Sequence, residues 1–386
     1  MKKPLLLTLL IAIMNTLAFA QIITKEDSLS AGLMASKSAT VLSGYGSMQY
    51  SNDLTTKEAS TNVDRLVLFV GHKFNSKIAF FSELELEDVK VVGGAPGGEF
   101  ALEQAFIKFD IDRNNYIGAG LIIPRIGIIN ENHLPTTFNG NFRPNVERYI
   151  IPATWREIGI SYYGTSTKVP GLNYSVALIN GLNSANFSSD KGIRGGRFKG
   201  ANANANCLAI TAALLYYKNN FRVQVSGYFS GSNTMSKFHS DSLGIAKNVL
   251  GAPVALLECN VQYKHKGFQM KALGTLININ DAEMLNAFYG DNIAQNIVGY
   301  YGEIGYNFNH RRDKAFILFS RYENLNMSAT LPNNAVEIKA NNLQFITSGF
   351  TYLPHPGVCI KLDHSYRLNG ESAVQHSINL GLAYSY

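Results

Sequence analysis

Arg143, Arg148 and Arg156 fall within residues 127–156, among Glu131, Glu147, Glu157 and His133. Opposed guanidinium and carboxylate groups around a narrow passage set a transverse field, which sorts ions by sign and size. Paired with one another, the same groups would only hold the segment in shape. A second basic set, Lys191, Arg194, Arg197 and Lys199, faces one acid, Asp190, in the Gly-rich run SSDKGIRGGRFKGANANAN. A mobile basic mouth concentrates anions by steering; a solvated surface loop has the same composition.

The residues of bond-making chemistry are not spaced for it. There is no CxxC, no HExxH and no His/Cys cluster, and the three cysteines (Cys207, Cys259, Cys359) are an odd, sparse set in strand-like, mostly apolar runs that fits small hydrophobes better than a disulfide framework. GIRGGRFKG lacks the G-K-[ST] of a phosphate-cradling nucleotide loop. The carboxylate row Glu83, Glu85, Glu87 suits a hard divalent cation by type. Set two apart along a strand, however, the three spread over about 13 Å, too far to share one ion. Counter-charging by inward Arg and Lys of neighbouring strands is the expectation. No catalytic residue, no metal and no cofactor are expected, and the chain reads as a non-enzyme. The formal charge of +6 is too mild for a nucleic-acid binder.

What must position these charges is a set of strands. In SINLGLAYSY, the last ten residues, Ile378, Leu380, Leu382, Tyr384 and Tyr386 lie on one face, and Ser377, Asn379, Gly381, Ala383 and Ser385 on the other. The runs from Ile78, Phe221, Val254 and Val358 alternate in the same way. Alternation places Arg65, Lys108, Arg222, Lys264, Lys271, Arg321, Lys361 and Arg367 on the polar face. It also places Glu83, Glu85, Glu87, Glu258, Glu303 and Asp363 there, so the wall charges nearly balance. The connections decide what the two faces meet. Short ones, rich in Asn, Gly, Pro and Asp, alternate with long ones at about 51–61, 127–156, 181–205, 232–253, 277–295 and 325–342. Short turns on one rim and long loops on the other are the pattern of a membrane barrel. About sixteen strands are expected between Ala39 and Tyr386, wide enough for an aqueous lumen. The apolar face then meets lipid, because in hydrocarbon only a closed sheet or a helix satisfies every backbone group. The terminal aromatics, Tyr386 and Tyr384, are expected to close the sheet against the strand around ATVLSGYGSMQY.

At the other end, MKKPLLLTLLIAIMNTLAFA has two lysines, an apolar stretch and Ala18-Phe19-Ala20, the layout of a cleaved signal peptide. The division expected is 1–20 signal peptide, 21–38 a short periplasmic segment, and 39–386 an all-β, antiparallel, up-and-down barrel.

The stretch LEQAFIKFDIDRNNYIGAGLIIPRIGIINENHLPTTFNGNFRPNVERYIIPATWREIGISYYG resembles the outer-membrane porins of Bacteroidetes-type bacteria, relatives of the phosphate-selective porin O/P group. DRLVLFVGHKFNSKIAFFSELELEDV and YSVALINGLNS carry the same resemblance, and the run PATWREIG at 152–159 is its most specific part. It implies a trimer-prone barrel in the outer membrane of a Gram-negative bacterium, passing small hydrophilic solutes or ions. The partners implied are outer-membrane lipid, lipopolysaccharide, the barrel-assembly machinery and further copies of the chain. It also implies a third loop folded into the lumen, with Trp155 and Pro152 fixing its return to the wall. Phosphate selectivity belongs to particular members and rests on clustered basic residues. A non-conducting adhesin or structural barrel is the alternative, and would plug the same wall with bulky side chains.

Overall fold

In the computed structural model the described residues are 39–88, 98–203, 205, 207–230, 252–310, 314–369 and 375–386. The signal peptide and periplasmic segment read from the sequence lie outside them. Sixteen strands form one closed antiparallel barrel in which each strand pairs with its neighbours in sequence. They are β1 (Thr40–Asp53), β2 (Glu58–Lys73), β3 (Ile78–Glu87), β4 (Glu99–Asp110), β5 (Asn115–Ile122), β6 (Glu157–Thr165), β7 (Leu172–Asn180) and β8 (Leu208–Lys218). The circuit continues through β9 (Phe221–Ser230), β10 (Val254–His265), β11 (Phe268–Ile279), β12 (Asn296–Asn307), β13 (Ala315–Thr330), β14 (Leu343–His355), β15 (Val358–Asn369) and β16 (Gln375–Ser385).

The hydrophobic order is inverted relative to a water-soluble protein. Leu214, Leu257, Ile304 and Leu318 point outward and are more than half exposed, while Glu83, Glu258, Glu323 and Asn379 point inward and are fully buried. Period-two alternation produces both faces at once, and no helix among the described residues is long and apolar enough to cross a membrane. The tight rim is built by turn chemistry. At the β10–β11 hairpin Lys266 (φ 46°) and Gly267 (φ 90°) both take the left-handed region, as a two-residue turn matching the strand twist requires.

β16 closes the barrel on β1, with Gly46 opposite Tyr384 and reciprocal backbone hydrogen bonds between Gly44 and Tyr386 at 3.1 and 2.9 Å. A Cβ on Gly46 would come within 2.7 Å of the Tyr384 hydroxyl, and one on Gly44 within 2.9 Å of the Tyr386 hydroxyl. The two tyrosine rings therefore lie over a glycine groove at the seam.

Two features depart from the loop rhythm read in the sequence. The first connection occupies only residues 54–57, because β1 and β2 extend through the segment taken as a long loop. The barrel interior is also not uniformly aqueous. At the long-loop rim the inward residues of β7 and β10–β13 are apolar (Ile179, Leu256, Ile277, Ile297, Leu325), and they pack against loop residues Ile128, Ile150, Trp155, Leu182, Phe187 and Leu285 in one buried cluster. A strand apolar on both faces needs an apolar partner inside, and the third, fourth and sixth loops supply it. Leu285 comes from the sixth loop's helix, α1 (Ala282–Tyr289).

Candidate functional site: the third and fourth loops inside the barrel

The third loop (residues 123–156) lies within the lumen, and the inward charges of the wall hold it there. Glu258 of β10 accepts from the Gly127 amide (3.3 Å). Glu303 of β12 accepts from Asn139 (3.0 Å), and Glu323 of β13 from the Val146 amide (3.1 Å). Asp363 of β15 accepts from the Asn141 amide (2.7 Å). Lys361 donates to the carbonyls of Phe138 and Gly140, both at 2.8 Å. Arg321 donates to the carbonyl of Asn139 while paired with Glu303 and Glu323. Glu258, Arg321, Lys361 and Asp363, read as pore-lining, are therefore buried beneath the loop as its fasteners. Charge-assisted bonds to an irregular backbone satisfy groups that have no ladder partner.

The rest of the wall is charge-paired. Arg65 bridges Asp64 (3.0 Å), Glu85 (3.0 Å) and Glu87 (3.7 Å), so Glu85 and Glu87 of the carboxylate row are counter-charged, while Glu83 is not met by Arg65. Lys108 pairs with Asp110 and Lys271 with Glu303. Arg222 is buried, donating to Gln224 and lying over the Tyr217 ring. Lys264 is exposed near the short-turn rim, and Arg367 is half-buried.

The acids Glu131 and Glu147 of the third loop and Glu157 at the start of β6 do not oppose the arginines across a gap, which corrects the sequence expectation. Glu131 takes Arg125 at 2.7 Å. Glu157 accepts from Trp155 Nε1 and Asn180 Nδ2. Glu147 accepts from the amides of Ile128 (2.8 Å) and Ile129 (2.6 Å) and from the Tyr301 hydroxyl (2.6 Å). All three are buried, because the loop's own turns need internal acceptors where water is excluded.

Burial, opposed by the hydrogen bonds from Tyr301 and the two amides, pushes the Glu147 carboxyl up to about 7 from 4.5. A pKa raised on folding gives stability that is complete below the unfolded value and is lost as pH rises through the folded one. The expected result is that the melting temperature of the detergent-solubilised barrel falls between about pH 4.5 and about pH 7 by more in the wild type than in Glu147→Gln. Equal pH dependence in the two proteins would exclude Glu147 as the titrating group.

The arginines do converge. Arg143, Arg148 and Arg156 of the third loop and Arg194 and Arg197 of the fourth (residues 181–207) line one polar cavity of about 210 Å³ against β1–β4. The fourth loop is folded rather than a loose mouth: Ile193 and Gly196 are buried, and Arg197 donates to the carbonyls of Pro152 (2.6 Å) and Thr154 (3.3 Å). The sequence did not foresee this because its basic run looked solvated, yet Leu182 and Phe187 ahead of the charges and Ile193 among them carry it inward. Lys199 lies at the edge, 3.7 Å from Glu99, and Lys191 stays exposed. Arg148 and Arg194 both approach the Tyr149 ring, at 5.3 and 5.4 Å.

These guanidiniums crowd one another. Burial and then the neighbouring Arg194 and Arg156 bring Arg197 down to about 9. Burial and Arg65 lower Arg143; burial and Arg148 lower Arg194. Arg143 Nη2 and Arg156 Nε are buried without a hydrogen-bond partner. Acids on the rim (Asp64, Glu85, Glu87, Asp88, Glu99) are in part committed to Arg65 and Lys199.

At the edge of the same cavity, His133 meets Glu83 and Glu103 in a fully buried cluster. Burial works against a charged imidazole, but the Glu103 and Glu83 carboxylates outweigh it and hold His133 above its ordinary value. Glu103 went unread in the sequence; the adjacent polar pair Glu103-Gln104 in a strand, which breaks the alternation, was its signal.

Fold and site together define a porin-like transmembrane β-barrel whose lumen is occupied by its own third and fourth loops. No family model matches the chain. An uncharacterized protein of Aquifex aeolicus is 28% identical over 343 residues, 85% of this chain and 76% of that protein. Among solved structures the chain resembles Salmonella typhi OmpF in complex with daunomycin (TM-score 0.58, 13% identity, 90% of this chain and 97% of that one). It also resembles an anion-selective porin from Comamonas acidovorans (TM-score 0.55, 11% identity, 90% and 99%). These likenesses are of fold.

Proposed function

We propose that the protein is an outer-membrane porin, a passive diffusion channel for small hydrophilic solutes or ions, with a preference for anions of the phosphate type. The observation that carries this reading is the polar cavity where five arginines converge beside the third loop. Like charges held together, with two guanidinium nitrogens lacking partners, are costly unless an anion shares the space. A lumen wall of this kind selects by charge and size and performs no chemistry. The porin O/P resemblance of PATWREIG and its flanks supports the assignment, as does the likeness in fold to channels. The same reading brings export by a cleaved signal peptide, residence in a Gram-negative outer membrane beside lipopolysaccharide, and assembly into homo-trimers. Tyr384 and Tyr386 at the seam would serve the barrel-assembly machinery.

The apolar packing of the loops against β7–β13 favours a second reading, a non-conducting structural or adhesive barrel. Planar-bilayer recording of the purified protein separates the two. Stepwise channels with a reversal potential of anionic sign under a salt gradient are expected. A folded barrel that never conducts would establish the second reading instead.

A further inference from the structure

We infer that Glu83, Glu103 and His133 form a binding site for a divalent cation of the zinc class, which ties the third loop to the barrel wall. The site does not depend on conduction through the barrel.

A local irregularity of the sheet creates it. Glu83 of β3 stands opposite Gln104 of β4, and Leu84 opposite Leu102, so Glu103 is an extra residue in the ladder. Glu103 and Gln104 consequently both face inward and both are buried. A bulge of this kind re-aims one side chain, here beside Glu83. The third loop then brings His133 onto the pair.

Each of the three side chains is held from outside at one end and turns its other end toward the cluster. His133 Nδ1 lies 3.0 Å from the Asn130 carbonyl, which can only accept, so Nδ1 carries a proton. Gln104 donates to Glu83 Oε2 at 2.9 Å, and Thr154 donates to Glu103 Oε1 at 2.6 Å. Arg156 stands 3.7 Å from that same outer oxygen. The remaining atoms point at one another: His133 Nε2 is 3.1 Å from Glu103 Oε2 and 3.4 Å from Glu83 Oε1, and one ligand atom from each residue lies within 4.8 Å of the others. Glu103 Oε2 has no hydrogen-bond partner although the residue is fully buried.

A neutral imidazole in this tautomer would aim its lone pair at two carboxylates. Something positive belongs between them. Tetrahedral zinc with bonds of about 2.0–2.1 Å separates its ligand atoms by about 3.3–3.4 Å, close to the two distances from His133. A ligating histidine with its other ring nitrogen on a backbone carbonyl, and carboxylates hydrogen-bonded from outside, is the usual supporting arrangement of such centres. One imidazole with two carboxylates favours zinc or a first-row neighbour over calcium, which takes six to eight oxygens. His133 and Thr154 border the polar cavity, which gives an ion its approach.

The test uses the full mature chain, metal-stripped while denatured and refolded into detergent micelles with Zn²⁺, with Ca²⁺ or with EDTA, followed by gel filtration and metal analysis. About one zinc per barrel is expected, with no retained calcium, and at least about a tenfold loss of zinc in His133→Gln and Glu103→Gln. Heat-modifiable gel mobility reports that each variant is folded. Failure of the wild type to retain zinc would overturn the site and leave a protonated His133 as the positive partner. Zinc retained equally in both variants would also overturn it, by placing the metal elsewhere. Should a variant not fold, Co²⁺-loaded wild type decides. Intense visible bands of a low-coordinate centre are expected, and a spectrum like that of aqueous Co²⁺ would count against the site.

Discussion

Replacing Arg143, Arg148 and Arg156 together with alanine is expected to move the bilayer reversal potential towards cations, with about a tenfold fall in the anion-to-cation permeability ratio. Each removed charge borders the same cavity. One unit charge at about 5 Å from a passing ion is worth about 0.8 kcal/mol even at the dielectric constant of water. Three such charges therefore supply about 2 kcal/mol, more than the ~1.4 kcal/mol that makes a factor of ten. The remaining lining would be weighted towards the acids Asp64, Glu87, Asp88 and Glu99. Lys191→Ala is the control, since Lys191 is exposed and absent from the cavity lining; it should leave the potential unchanged. Identical reversal potentials for the triple variant and the wild type would remove the arginine cluster from the conduction path.

Trp155→Ala is expected to free the third loop while leaving the barrel closed. Trp155 is fully buried, lies 4.7 Å from the Tyr228 ring, and donates its backbone amide to Asn130 Oδ1 at 2.7 Å. Truncating a buried tryptophan costs about 3–5 kcal/mol. Here the cost falls on the loop, because the sixteen-strand ladder is made by backbone bonds that the indole does not touch. Limited proteolysis of the folded variant should cut within residues 123–156, the single-channel conductance should rise, and heat-modifiable gel mobility should persist. Trp155→Phe keeps an aromatic partner for Tyr228 and should lie between the two. A variant as protease-resistant as the wild type would show that the wall charges alone hold the loop.

The two expectations draw on different parts of the sequence. The arginines were visible as a cluster in residues 127–156, yet their companions Arg194 and Arg197 looked like a solvated mouth. Nothing local said that Ile193 would anchor the fourth loop inside the barrel. The acids misled in the other direction. Glu131, Glu147 and Glu157 have the spacing of a charge-opposed constriction, but each is consumed by a neighbouring donor, Arg125, the Ile128 amide and Asn180 of β7 respectively. Charge type is written in a sequence, whereas the identity of the nearest partner is not.

Apart from the ends of β1 and β2, which read as loop, the strands were legible because their pattern answers a local demand. An extended chain alternates its side chains whatever its neighbours do, and in a bilayer every backbone group must find a partner in a closed sheet. Period two, turn residues and an aromatic terminus therefore suffice to determine a sixteen-stranded barrel sealed between β1 and β16. The interior was decided otherwise. Glu258 meets Gly127, Glu303 meets Asn139, and Asp363 meets Asn141 across sequence separations of 131, 164 and 222 residues. Glu103 joins Glu83 and His133 only because a bulge shifts the register of β4 by one residue. Such meetings depend on where closure of the whole sheet brings each side chain, so only the tertiary structure could turn a wall of balanced charges into a fastened loop, an arginine-lined cavity and a buried histidine–carboxylate cluster.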